Sequence, residues 1–262
     1  MQFDTDELRI RLTGKTIGCV FHYLETVDST NHVALRLAQE GAPEGTVVMA
    51  DRQTAGKGRL QRVWQSPPGC NIYLSVILRP TASPPEASRI TLLSGVAIAE
   101  AIASICPAGV TIKWPNDVLI RGRKVCGILA EMATVGGSRA VILGIGLNVN
   151  IRREDFDPGH RDMATSLFEE TGRTHSREDV VFLLCEWLER SYESFRCTGF
   201  APIREKWIAR SDMTGKRIRV LFRDEVQEGV MAGIDLDGKL LLNDGQGDVR
   251  RITAGDVTII KD

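Results

Sequence analysis

Three short stretches concentrate side chains that a buried sheet does not need. KWPNDVLIRGRKVCGILAE, residues 113–131, sets Lys113, Asn116, Asp117, Arg121, Arg123 and Lys124 around the turns of a strand-rich segment. Lys124 stands near Gly127 on a run that is otherwise Val-Cys-Gly-Ile-Leu-Ala, and its ammonium needs a partner if that strand is buried. The plain alternative is a lysine at a strand edge whose stem lies on the sheet while its head reaches water. QTAGKGRLQRVW, residues 53–64, packs Lys57, Arg59 and Arg62 into six residues beside Gly56 and Gly58. Glycines let a backbone approach a ligand and present its N–H groups, and arginines fork onto carboxylate or phosphate. A solvated basic loop has the same composition, and the Gly-Lys-Ser/Thr order of a Walker loop is absent. LGIGLNVN, residues 143–150, puts two glycines and two asparagines in an apolar strand, where glycine marks either a close ligand or a bulge. All three stretches lie at ends or interruptions of what reads as one sheet, which points to a shared cleft for an anionic ligand.

The elements that must position these groups follow from periodicity and turn chemistry. Strands are expected at 18–26, 46–52, 71–79, 118–120, 124–133 and 141–150, with another running into Lys113. Ser29-Thr30-Asn31 offers N-cap chemistry to a helix that Gly41 stops. Helical faces recur over 88–105, 177–197 and 201–210, while 53–69 and 152–165 read as polar loops. After Ser211 the texture changes to short strands with turns at Asp237-Gly238 and Asp244-Gly245, the pattern of a small β-barrel of about 50 residues. The layout is α+β: a mixed sheet with helices packed on one side over residues 1–211, then a barrel over 212–262.

Composition narrows the function classes. The 262 residues are 43% hydrophobic, enough for one main domain and a small one. With 33 basic and 34 acidic side chains the net charge is −1, which gives no bulk attraction for nucleic acid. No apolar run reaches the roughly 18 residues of a membrane span, and MQFDTDELRI has no export pattern. Cysteines 19, 70, 106, 126, 185 and 197 form no Cys-x-x-Cys pair, so they read as reduced cytoplasmic thiols rather than a structural zinc site.

Taken together the motifs resemble those of the biotin protein ligases over about residues 20–260. The resemblance is carried by DSTN (28–31), QTAGKGR (53–59) with Trp64, SPPGCNIYLS (66–75), KWPND (113–117), RKVCGILAE (123–131) and GIGLNVN (144–150). GIDLDGKLLL (233–242) is similar to the family's C-terminal SH3-like barrel. The resemblance implies ATP-dependent conversion of biotin to biotinyl-5′-AMP, then transfer to a lysine of a biotin carboxyl carrier protein. ATP with Mg2+ would be the co-substrate, and no tightly bound prosthetic group is implied. It makes Lys124 and Arg59 the catalytic cations. Ser29, Thr30, Asn31, Gln53, Gly56, Lys57, Trp64 and Gly127 join those two around biotin, Trp64 walling the alkyl chain and Gly127 leaving room for the ligand. It assigns Arg59, Arg62, Asn116, Asp117 and Asn148 to the nucleotide, with Asp117 also a Mg2+ ligand.

This chain departs from the family pattern where further glycine and arginine are usual, at Lys57, Leu60 and Gln61, and no Trp stands in 152–165 to stack on adenine. Met163 and the methylenes of Arg161 remain for that contact. Both loops, 54–63 and 152–165, are expected to order over the adenylate. About 27 residues precede DSTN, which implies a cytoplasmic ligase without DNA or membrane binding, and an exposed sheet edge would allow a homodimer. A lipoate ligase and a non-catalytic adenylate sensor are the rival readings; KWPND disfavours the first and Lys124 with Arg59 the second.

Overall fold

The computed structural model describes residues 3–80, 86–107, 109–245 and 247–260. Seven strands form the larger sheet: β1 (Phe21–Val27), β2 (Val47–Gln53), β3 (Ile72–Leu78), β4 (Val110–Lys113), β5 (Asp117–Ile120), β6 (Arg123–Val135) and β7 (Ser138–Leu147). Their order is β1-β2-β3-β7-β6-β5-β4, with β1 and β2 parallel and the other neighbours antiparallel. Helices α1 (Thr5–Arg11), α2 (Thr30–Gln39), α3 (Glu86–Ile105), α4 (Leu167–Thr171), α5 (Arg177–Thr198) and α6 (Ala201–Arg210) complete this part. The second sheet is antiparallel throughout and forms the SH3-like barrel: β8 (Arg217–Phe222), β9 (Glu225–Ile234), β10 (Leu240–Asn243), β11 (Val249–Ile252) and β12 (Asp256–Ile259), in the order β11-β10-β9-β8-β12.

Alternation along the strands divides the large sheet into two unlike faces. Val47 and Met49, Leu74, Val76 and Leu78, and Val141, Leu143 and Ile145 join one apolar core with α3 and α5. The residues between them, Val48, Ile77 and Ile142, join a smaller cluster with Ala34 and Ala38 of α2. The long helices therefore cover one side, and α2 alone packs on the other, leaving the rest of that face open. β3 is buried at every position, as a central strand covered on both faces should be. The barrel shares the large core through Met231, Ile234, Leu240 and Leu242, and Trp114 Nε1 donates to Gly238 O at 3.1 Å across the junction.

Three expectations need adjusting. Ser29 sits at the N-cap of α2 with extended backbone, but its side chain makes no cap bond. The polar loop at 152–165 is not free along its length. Lys124 N donates to Met163 O at 2.7 Å and Thr165 N donates to Lys124 O at 2.9 Å, so residues 163–165 run beside β6. Helix α3 is long and apolar enough over Ala87–Ile105 to cross a membrane by length and composition, although no apolar run of that length was expected. Here it is the central core helix: Ile90, Leu93, Val96, Ala97 and Ile102 are all buried.

An ion pair fastens α5 to the sheet. Arg177, nearly buried at the start of α5, places Nη1 2.6 Å from Asp51 Oδ1, and the same oxygen accepts from Gly69 N at 3.1 Å. Burial works against the guanidinium charge, but the Asp51 carboxylate more than restores it, so the Arg177 pKa lies above its ordinary value. Asp51→Ala leaves that charge buried without a counter-ion and should cost about 3 kcal/mol of stability. Urea unfolding measures this; a loss below about 0.5 kcal/mol would show that the pair is not what holds α5.

Candidate active site

The open face carries three glycines on two adjacent strands, Gly127 on β6 and Gly144 and Gly146 on β7, with Gly127 directly opposite Gly146. A Cβ on Gly146 would lie 2.4 Å from Trp64 Cε2, and one on Gly127 would lie 2.8 Å from Trp64 Cζ3. Only glycine at both positions lets the indole lie on the sheet. Gly127 thus makes room for Trp64, and a Cβ there would also lie 3.2 Å from Lys124 Nζ. Trp64 Nε1 is buried and finds no acceptor among the described residues. Gly56 is likewise closed in: a Cβ there would meet Trp64 O at 2.6 Å and Ser66 Oγ at 2.8 Å.

Lys124 reaches this face because β6 carries a bulge. Asp117 pairs with Gly127 and Val118 with Cys126, but Leu119 pairs with Lys124, so Val125 is the extra residue. Val125 and Cys126 both enter the core, and Lys124 emerges on the glycine side. Its Nζ lies 2.7 Å from Asp117 Oδ1 and 5.3 Å from the Trp64 ring centroid. The Asp117 contact is a charge pair rather than a directed hydrogen bond, because that oxygen has no partner at hydrogen-bonding angles. Cys126 is no rival nucleophile: it is fully buried, which pushes its thiol pKa far up.

Arg59 lies on the loop above. Its Nη1 donates to Asn116 Oδ1 at 3.3 Å, while Asn116 Nδ2 donates to Ile128 O at 2.9 Å, tying the KWPND turn to β6. Burial lowers the Arg59 pKa, and the carboxylates of Asp256 and Asp117 oppose that loss of charge. Arg62 pairs with Asp256, the first residue of β12, so the barrel holds the loop from outside. Lys57 turns away toward α2, with Nζ 3.0 Å from His32 Nε2. Leu60 and Gln61, where the family pattern favours small or basic residues, take left-handed backbone with φ of 55° and 59°. Beneath the loop lies a cleft of about 260 Å³ lined by Lys57, Arg59, Leu129 and Glu131 among others. A larger groove of about 590 Å³ at the barrel is remote from these groups, and its Arg251 is already paired with Asp235 and Asp237.

At the α2 end of the cleft, hydrogen bonds connect six polar side chains. Gln53 Oε1 accepts from Thr30 N at 2.9 Å, and Gln53 Nε2 donates to Ser66 Oγ at 3.2 Å. Ser75 Oγ lies 2.8 Å from Thr30 Oγ1 and 2.6 Å from Asn31 Oδ1, and Asn31 Nδ2 donates to Glu131 Oε2 at 2.6 Å. Ser29 is buried next to this group. The structure therefore brings Thr30, Gln53, Gly56, Arg59, Trp64, Asn116, Asp117, Lys124 and Gly127 to one face. Asn31 and Asn148 are engaged internally: the Asn148 amide donates to Thr165 O at 3.0 Å. Met163 is exposed next to Lys124 along the chain's return, and Arg161 bonds the backbone of its own loop at Glu154 O. Sequence reasoning missed Ser75, Ser66, Glu131 and Asp256. Ser75 had a signal, as the one polar residue in the buried run IYLSVIL; Asp256, distant in sequence, had none.

These groups form a slot with an apolar floor, a polar end and a cationic end. A model of the biotin/lipoate A/B protein ligase family matches residues 23–148, and one of the biotin protein ligase C-terminal domain matches 214–259. The bifunctional ligase/repressor BirA of Bacillus subtilis (strain 168) is 38% identical over 256 residues, covering 97% of this chain and 78% of that protein. The biotin–[acetyl-CoA-carboxylase] ligase of Paracoccus denitrificans is 36% identical over 229 residues, 86% of this chain and 94% of that one. The biotin protein ligase from Aquifex aeolicus, solved in complex with biotin and ATP, superposes with a TM-score of 0.80 at 29% identity, over 93% of this chain and 99% of its own. The chain belongs to the biotin protein ligase family.

Proposed function

We propose that this protein activates biotin with ATP to biotinyl-5′-AMP and then transfers the biotinyl group to a lysine of a biotin carboxyl carrier protein, in the cytoplasm. The observation that carries the reading is the pairing of Lys124, turned onto the glycine face by the β6 bulge, with the half-buried Arg59 at one end of the Trp64 slot. In the first step a biotin carboxylate oxygen attacks the α-phosphorus and the bond to pyrophosphate breaks. Lys124 and Arg59 hold the two anions together and stabilise the charge that gathers on the phosphoryl oxygens. In the second step the carrier amine attacks the acyl carbon, the C–O bond to AMP breaks, and the same two cations stay with the departing phosphate. Thr30, Gln53 and Ser29 take the ureido ring and Trp64 walls the alkyl chain. Asn116 and Arg62 lie toward the nucleotide.

Among the described residues no cluster of three or more His, Cys, Asp and Glu could hold a metal ion. One carboxylate beside a triphosphate is enough for Mg2+. Asp117 fits that role, so the metal would enter with ATP and neutralise phosphate charge. Residues 1–211 serve as the catalytic domain and 212–262 as the barrel domain, whose Asp256 steadies the loop. The six free cysteines agree with a reducing compartment. No DNA-binding role is included, in keeping with the net charge of −1. β5 pairs with β6 only as far as Gly127, and Asn116 takes both backbone groups of Ile128, so it is the β6 edge beyond Ile128 that is open to a second copy.

The direct test is transfer of label from radioactive biotin to a carrier domain with ATP and Mg2+, set against lipoate. Labelling from biotin alone is expected; labelling from lipoate alone would reverse the assignment. Lys124→Ala should remove about 3 kcal/mol of transition-state stabilisation, roughly a hundredfold in pyrophosphate release, while biotin binding weakens less. Release at wild-type rate would take Lys124 out of the chemistry. Arg59→Gly should leave adenylate synthesis partly intact but let biotinyl-AMP escape faster, because the loop loses both its Asn116 anchor and its charge on the phosphate. The adenylate off-rate reads this out, and an unchanged value would remove the loop from retention.

A further inference from the structure

The polar end of the slot has a hydrogen-bond direction, and one carboxylate sets it. Asn31 lies 2.6 Å from Glu131 Oε2 on one side and 2.6 Å from Ser75 Oγ on the other. A carboxylate oxygen accepts, so the Asn31 NH2 must face Glu131 and its carbonyl must face Ser75. Ser75 has a single hydroxyl hydrogen, which goes to that carbonyl. Its oxygen is then an acceptor for Thr30 Oγ1, 2.8 Å away. Gln53 Oε1, at 3.2 Å, is the alternative taker, but it already accepts the Thr30 backbone N–H at 2.9 Å. In either arrangement the Thr30 hydroxyl hydrogen is spent inside the protein, and the oxygen presents lone pairs to the slot. Asn31 is held in place because a Cβ on Gly144 would lie 2.4 Å from its Oδ1, so the amide is wedged against the glycine. Ser75 is fully buried and Asn31 nearly so.

We propose that Glu131 is a positioning residue for substrate recognition: through Asn31 and Ser75 it fixes Thr30 as a hydrogen-bond acceptor, and so selects a ligand that offers an N–H at that point. The inference rests on the biotin reading, in which that N–H belongs to the cyclic urea. It also accounts for a charged side chain at the end of an apolar strand segment that no step of the reaction uses. Replacing Glu131 by glutamine removes the constraint. With an NH2 as well as an oxygen at that position, Asn31 is free to turn over, so that Ser75 accepts from Asn31 and donates to Thr30; the Thr30 hydrogen is then shared between Gln53 Oε1 and the slot instead of being held by Ser75.

The test compares affinities by calorimetry for biotin and for each of the two cyclic carbamates in which a ring oxygen replaces one ureido N–H. The wild-type protein should prefer biotin over the carbamate that places oxygen against Thr30 by at least about a hundredfold, because two acceptors then face each other. Glu131→Gln and Ser75→Ala, each checked for retained fold by circular dichroism, should lower that ratio by about tenfold or more. Weakening of all the ligands by the same factor, with the ratio unchanged in both variants, would overturn the proposal, since a merely structural role acts that way. If Glu131→Gln does not fold, Ser75→Ala decides alone. A wild-type protein that binds no biotin overturns the functional reading itself, a result distinct from an unchanged ratio.

Discussion

One extra residue in one strand decides the polarity of this site. Val125 has no partner of its own on β5, so the strand gains half a turn of its pleat between Cys126 and Lys124. Without the bulge, Lys124 would share the core face with Cys126 and Ile128, and its ammonium would be buried among α3 residues at a cost of several kcal/mol. With it, Val125 and Cys126 fill the core and Lys124 stands opposite Asp117. The backbone at the bulge is secured on its free side by Met163 O and Thr165 N. The loop at 152–165 is therefore structural at its end, whatever its earlier residues do over a nucleotide.

The same feature marks the limit of what the sequence could tell. Strand alternation and helical periodicity placed β3, α3 and α5 well, because buried runs such as IYLSVIL and the Ile90-Leu93-Val96-Ala97 face leave little choice, whereas β7 spans Ser138–Leu147 instead of the expected 141–150. The resemblance to the biotin protein ligases implied that Lys124, Arg59, Trp64 and the DSTN residues are neighbours. Alternation, however, assigns Lys124 to the wrong face, since a bulge has no period of its own. Gly127 was legible as a close approach, yet not whose approach it was; the indole of Trp64 is 63 positions away in the chain. The place of Glu131 stayed hidden because its partner Asn31 comes from α2 and Asn31's own partner Ser75 from β3, and only the fold brings the three together.

Charge placement explains how a site built for anions is stable without one. Lys124, Arg59 and Arg62 would repel one another across a partly desolvated slot. Asp117 meets the first, Asn116 takes a hydrogen bond from the second, and Asp256 pairs with the third. Each partner fixes a donor in position before the substrate arrives, so little reorganisation is left for the moment of reaction. Two of these partners come from the sheet and one from the barrel. That division gives the barrel a reason to share its core with α3: Asp256 can hold Arg62 only if β12 keeps a fixed distance from the loop.

The loop itself shows the opposing tendency. Leu60 and Gln61 both sit in left-handed backbone, where a side chain costs roughly 1–2 kcal/mol per residue relative to the right-handed form. Leu60 is more than half exposed and so gains little apolar burial in return. The conformation is held by backbone bonds across the strained pair, Gly58 N to Arg62 O at 2.7 Å and Arg62 N to Arg59 O at 3.2 Å, and by polar anchors on either side, Arg59 on Asn116 and Arg62 on Asp256. Side-chain anchoring and loop geometry are therefore coupled: Asn116 and Asp256 hold the two guanidinium groups that flank Leu60 and Gln61. A family loop with glycine at those positions would close without that backbone cost. In this chain the anchors and the backbone bonds must supply the stabilisation that glycine would otherwise make unnecessary, and the Arg62–Asp256 pair ties the loop's conformation to the barrel.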